Sequence, residues 1–245
     1  MTESEHSRKH DRQRLLWFLL GLLAAYGLFA YIIAPLIWRV DMHRHPNMRT
    51  EPNITHTKSG IPGDPLNISL VGSKADVIRA FAAAGWYPAD PITFRSSMRI
   101  AVDTVFHRPD DDAPVSNLYL YGRKQDLAFE KPVHGSPKQR HHVRLWRSEK
   151  YDDNREVWIG AAIYDMGVEL SRTTGQVTHH IAPDIDLERD FLISDFEKAG
   201  VVQSLRWEDD FHEVRSGRNG GGDPWHTDGR LAIVVLKETE PEKPK

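Results

Sequence analysis

The sequence contains no cysteine. No disulfide can therefore staple it, and thiols give no reading of its redox compartment. It also lacks a strong charge of either sign: 32 Lys and Arg stand against 35 Asp and Glu, a net charge of -3. That balance argues against nucleic acid as a partner, since such domains carry a concentrated basic surface. Familiar catalytic signatures are missing too, with no H-E-x-x-H, no G-x-S-x-G and no P-loop lysine after a glycine-rich segment. Long apolar runs are absent from most of the chain, whose mean hydropathy is -0.52.

There is one exception. Between Arg14 and Arg39 lie 24 residues without a charge, LLWFLLGLLAAYGLFAYIIAPLIW. At ~1.5 Å per residue a helix of that length covers about 36 Å, against ~30 Å of bilayer hydrocarbon. Trp17 and Trp38 stand near its ends, where amphipathic rings prefer the interface. A cleaved signal peptide would have a shorter apolar core and a small-residue cleavage site, whereas Trp38-Arg39-Val40-Asp41 follows here. The expectation is one transmembrane helix over residues 15–38, with the lipid bilayer as its partner. Arg8, Lys9, Arg12 and Arg14 crowd the leading tail, 1–14, and place it in the cytoplasm. The large domain then lies outside, which in a bacterium would be the periplasm.

Residues 39–62 hold three Pro and no apolar periodicity and read as a stalk linker. Residues 237–245 read as a disordered tail. The globular domain is thus expected over 63–236. Its first unit is a strand, Leu66 to Val71, followed by a helix capped by Ser73 with Asp76 three residues on. Val77, Ile78, Phe81 and Ala84 recur at helical spacing, and Gly85 ends the helix. Asp90 and Pro91 signal a second helix, which Pro109 closes. Strands then follow at Leu118–Tyr121, Leu127–Val133, Arg140–Arg147, Val157–Tyr164, Val168–Arg172 and Val177–Ile181. The pieces at 122–125 and 173–176 between them read as turns, which predicts an antiparallel meander. A third helix, opened by Asp184 and Asp186, carries Leu187, Phe191, Phe196 and Ala199 and stops at Gly200. Val201–Trp207 and Arg230–Leu236 are closing strands. The class is α+β: an antiparallel sheet with about three flanking helices, preceded by the transmembrane helix.

Two histidine pairs are the densest polar signal: His141 and His142 in RHHVRLW, and His179 and His180 in VTHHI. Side chains alternate faces along a strand, so one member of each pair faces any common site. With Arg144 or Arg172 such a face suits a phosphate. With Asp184 and Asp186, His142 and His180 form a candidate ligand set for a divalent metal, Zn, Mn or Fe. The plainer account is that the histidines bond locally and the aspartates cap a helix. Gly220, Gly221, Gly222 and Asp223 lie in a glycine-rich loop that either cradles an anion or turns closely against other backbone.

The segments AAGWYPADPITFRSSMRIA (83–101), RHHVRLWR (140–147), GAAIYDMGVELSRTTGQVTHHIAPDIDLERD (160–190) and GRNGGGDPWHTDGRLAIVVL (217–236) occur in an order that resembles the LssY-like C-terminal domain family. The resemblance covers about residues 63–236. It implies a domain of membrane-associated bacterial proteins, sometimes fused to DedA-type or PAP2-type lipid phosphatase membrane regions. Its own activity is undefined, and with no phosphatase segment in this chain none is carried over. Three readings follow. The first is an envelope domain binding a phosphate-bearing ligand or lipid head group. The second is a metal-dependent hydrolase. The third is a protein-interaction module using exposed Trp and Tyr.

Overall fold

The computed structural model describes residues 3–33, 36, 45, 47–58, 60–89, 117–133, 136–170 and 177–238. It divides into two units, 1–46 and 47–245.

The first unit is α1, Glu3–Leu28, which passes into a π-helical turn at Phe29–Ile33, two residues after Gly27. The apolar part of α1, Leu15 to Leu28, covers about 21 Å at the helical rise. Among the described residues no helix is long and apolar enough to cross a membrane. Of the expected helix over 15–38, the described part is α-helical to Leu28 and π-helical at Phe29–Ile33, and residues 34, 35, 37 and 38 lie outside the described residues. The helix carries Trp17 at 72% and Leu23 at 66% exposure.

The second unit begins earlier than the stalk reading allowed. Met48, in the 3-10 turn Met48–Thr50, is 2% exposed and belongs to the core, and its N–H bonds Glu208 at 3.2 Å. Strands β1 (Ile54–His56) and β2 (Pro62–Pro65) pair with each other, and β1 continues to β5 (Tyr119–Leu120) and β6 (Arg123–Lys124) in a small sheet. The expected turn at 122–125 is therefore partly strand. Tyr121 (φ 52°) and Gly122 (φ 72°) make the turn, since both central residues of a tight hairpin take positive φ.

The main sheet is mixed. Its order is β11 (Val202–Glu208), β14 (Leu231–Leu236), β3 (Ile68–Val71), β9 (Arg155–Leu170), β8 (Ser136–Asp152), β7 (Leu127–Val133) and β4 (Tyr87–Pro88), and β10 (Val177–Ile181) also pairs with β9. The meander β7-β8-β9-β10 is as expected. The all-antiparallel reading is corrected at β3 and β14, which pair in parallel. Val168 begins no new strand, because β9 runs unbroken through Leu170. That makes β8 and β9 a long hairpin turned by Asp153 and Asn154, both at positive φ. Gly160 is required there: a Cβ would lie 2.3 Å from the Arg144 carbonyl on β8.

Two helices pack on one face. Helix α2, Lys74–Ala83, starts with the expected capping box, in which Ser73 Oγ accepts from Asp76 N–H at 3.1 Å and Asp76 accepts from Ser73 N–H at 2.9 Å. Helix α3, Ile185–Lys198, is capped by Asp184 and closed by Gly200 at φ 70°. Leu187, expected on its apolar stripe, is 69% exposed. The helix expected from Asp90 to Pro109 lies outside the described residues.

The pleat divides the core in two. Val143 and Leu145 of β8 and Trp158 and Ala162 of β9 face α2 and α3, where Phe81 stacks on Phe129 at 3.9 Å. Trp146, Ile159, Ala161 and Ile163 face the other way, against Leu118, Leu120, Phe211 and Trp225.

Candidate functional site

Period-two alternation sends the paired histidines to opposite faces of the sheet. His141 shares the helix face with Val143. Its Nδ1 lies 2.8 Å from Glu188 on α3, and its ring stacks on Phe191 at 4.0 Å. Glu188 is buried, and desolvation lifts its carboxyl above the usual range although His141 draws it down.

His142 faces the second core, with Arg140 and Arg144 beside it. His142 Nδ1 is 2.9 Å from Asp165 on β9, which also accepts from Arg140 Nε at 3.1 Å. Arg140 Nη1 donates to Glu130 on β7 at 2.9 Å. At the other end Arg144 Nη1 donates to Asp64 on β2 at 2.6 Å and to His142 Nε2 at 2.5 Å. The result is a chain of six buried ionisable groups that ties the small sheet to the main one. Arg144 donates to Nε2 only while that nitrogen carries no proton. Burial disfavours the charged ring, but Asp165 and Asp64 outweigh it together with the opposing Arg144, so the His142 pKa lies above its ordinary value. The charge count agrees, since three carboxylates otherwise face two guanidiniums. Once protonated, Nε2–H has Asp64 Oδ2 at 3.8 Å to turn toward.

His180 meets the glycine-rich segment. That segment is the turn of a hairpin, β12 (Ser216–Arg218) with β13 (Pro224–His226), which was not read from the sequence. The hairpin docks where β10 leads into α3, through His226 N–H to the Pro183 carbonyl at 2.7 Å. This brings Asp223 onto His180 Nδ1 in a short hydrogen bond. Asp223 is fixed further by Ile181 N–H at 3.3 Å, by Asn219 Nδ2 at 3.3 Å and by its own N–H to Asn219 Oδ1 at 2.9 Å. Gly220 packs closely, because a Cβ there would lie 2.9 Å from the Pro62 carbonyl. Gly222 takes φ 88° and bonds its N–H back to Asn219. The turn thus closes largely on itself, which favours the close-approach reading over an open amide cradle. His180 and Asp223 line a cleft of about 350 Å³ with Met166, Gly167, Pro183 and Pro224.

The four residues read as a metal set do not assemble as one. Asp184 caps α3, and Asp186 accepts from Arg189 at 3.0 Å and Thr227 at 2.8 Å. Among the described residues no group of three or more His, Asp or Glu is arranged to hold a metal ion. Arg172 and the side chain of His179 lie outside the described residues. The sequence reading missed Asp64, Glu130 and Asp165. For Asp165 a signal existed, a lone carboxylate inside the otherwise apolar strand GAAIYDMG.

A family model described as LssY C-terminus matches residues 48–231. The chain belongs to this family. The match starts at Met48, one residue into the second unit, so the LssY C-terminal domain here includes residues 48–62 of the segment expected as stalk. No curated protein and no solved structure is significantly similar to the chain.

Proposed function

We propose that this LssY C-terminal domain is an envelope module that binds an amphiphile with a phosphate-bearing head, such as a lipid head group, in the cleft of His180 and Asp223. The observation that carries the reading is an imidazole held by a buried carboxylate at the wall of an otherwise apolar cleft, where Met166 is 45% exposed. Convergent polar groups in a mostly apolar concavity are the ordinary form of a small-ligand site. Residues 15–38 anchor the module to the bilayer, with the N-terminus in the cytoplasm and the domain in the periplasm. The uncharged run and the exposed apolar side chains of α1 support that placement.

The test is calorimetric titration of the detergent-solubilised chain with a short-chain phosphatidic acid and with glycerol phosphate. Saturable binding is expected, lost in His180→Ala and weakened in Asp223→Asn. No saturation with either compound would sink the reading. Recovery of the full chain in the aqueous fraction after ultracentrifugation of lysed cells would remove the anchor.

The same pair supports a second reading, a hydrolase in which Asp223 orients His180 as general base toward a water. Release of product from a chromogenic phosphodiester or carboxylic ester, abolished by His180→Ala, separates it from a binding module.

A further inference from the structure

The tip of the β8–β9 hairpin extends beyond the strands that flank it, since β7 pairs with β8 as far as Leu145 and β3 with β9 only from Val157. Beside it lies a second cleft of about 620 Å³, bordered by Lys74, Arg123, Asp126, Arg147, Tyr151 and Trp158. Small-molecule sites occupy roughly 300–1,000 Å³.

The charges around this cleft are already matched. Arg123 grips Asp126 through Nη2 at 2.7 Å and Nε at 3.3 Å, and Arg147 lies 3.2 Å from Glu156. Lys74 and Glu149, one charge of each sign, also stand on the border. A phosphate or a polyanion therefore meets no excess of positive charge here. What the cleft does offer is a plane. The Tyr151 ring is half exposed, with the Arg147 guanidinium 5.7 Å from its centroid and donating to its hydroxyl at 2.6 Å. Trp158 forms the buried backing, and its indole N–H is committed to the Gly72 carbonyl at 3.0 Å. Fixed donors and acceptors stand around an aromatic face without net charge. That combination suits a neutral molecule with apolar C–H faces and many hydroxyls, which is the chemistry of a sugar ring.

We propose that this cleft binds a short neutral saccharide, independently of the His180 site. The test is titration of the full chain, in a detergent without a sugar head, with chitotetraose, cellotetraose and maltotetraose. At least one is expected to saturate with a Kd of about 1 mM or tighter. Tyr151→Ala and Arg147→Lys are each expected to weaken it about tenfold, as loss of an aromatic or guanidinium anchor does. His180→Ala is expected to leave it unchanged, with circular dichroism establishing that each variant is folded. No saturation by any of the three sugars overturns the proposal, and so does a Kd that neither weakening substitution moves in a folded protein.

Discussion

The two faces of the main sheet rest on different physics. Under α2 and α3 the face is mainly apolar, with His141 and Glu188 at one side: Phe81 lies flat on Phe129 and meets Phe196 edge-on at 5.0 Å, and Val143, Leu145 and Leu192 close the space around them. The opposite face places Arg140, His142 and Arg144 where β8 could have carried three apolar side chains. Burying an ion costs several kcal/mol before any partner returns it, so such a chain is a weak source of stability. It is, however, strict about position, because its hydrogen bonds join residues of β2, β7, β8 and β9. The helix face makes the domain stable, and the ionic face sets where β2, β7, β8 and β9 sit relative to one another.

Removing one member of the ionic chain should produce the largest effect. Asp165→Ala takes the shared carboxylate from both Arg140 and His142 and should cost about 3–5 kcal/mol in urea denaturation. Phe129→Ala should cost a similar ~3–5 kcal/mol through the cavity it leaves. The difference lies in rescue: adding Arg140→Met to Asp165→Ala should recover part of the loss, whereas no charge change repairs Phe129→Ala. A cost under about 1 kcal/mol for Asp165→Ala would erase the distinction between the faces.

Backbone proximity comes next. Gly160→Ala forces a methyl group against the Arg144 carbonyl and should cost about 1–3 kcal/mol, read as a lower urea midpoint at unchanged slope. Ser73→Ala removes the cap of α2 and should cost about 1 kcal/mol, with no dependence on the ionic face.

The pH response should sharpen the comparison with the smallest perturbation. The folded-state pKa of His142 lies above the ordinary value, so the native state holds that proton more tightly than the unfolded chain does. The stability it contributes is fully present below about pH 6.5 and is lost as pH rises through the folded-state pKa. His142→Gln should remove that part of the alkaline decline, measured as urea midpoints at about pH 6 and pH 9. An unchanged slope would show that the ring stays neutral. The variant Phe129→Leu, on the other face, should leave the pH profile unmoved. At the acid end Asp228 opposes this trend. Although burial would raise its pKa, Arg189 and Arg230 hold it at about 2, so its contribution is full above the ordinary carboxylate range and is lost as pH falls from there through about 2.

Local signals in the chain were sufficient for the elements with strong periodicity. The Ser73 capping box, the stop at Gly85, the Asp184 cap and the strands Leu127–Val133 and Val177–Ile181 were all legible, because each depends on neighbours within a few residues. Alternation also told correctly that His141 and His142 must part. It did not tell where each would go, since Glu188 is 47 residues from His141 and Asp64 is 80 residues from Arg144. The parallel pairing of β3 with β14 was hidden for the same reason. Nothing in either strand records its neighbour's direction.

By itself the sequence determined the class of the domain, its family and the presence of an uncharged apolar run near the start. Only the tertiary structure decided that the run leaves the α-helix after Leu28, that Met48 belongs to the folded unit, and that Asp223 reaches His180. Hydrogen bonding and side-chain alternation act over a few residues and are written into the order of the chain. The ionic chain and the Asp223–His180 pair join residues far apart in that order, and only the folding of the chain onto itself brings them together.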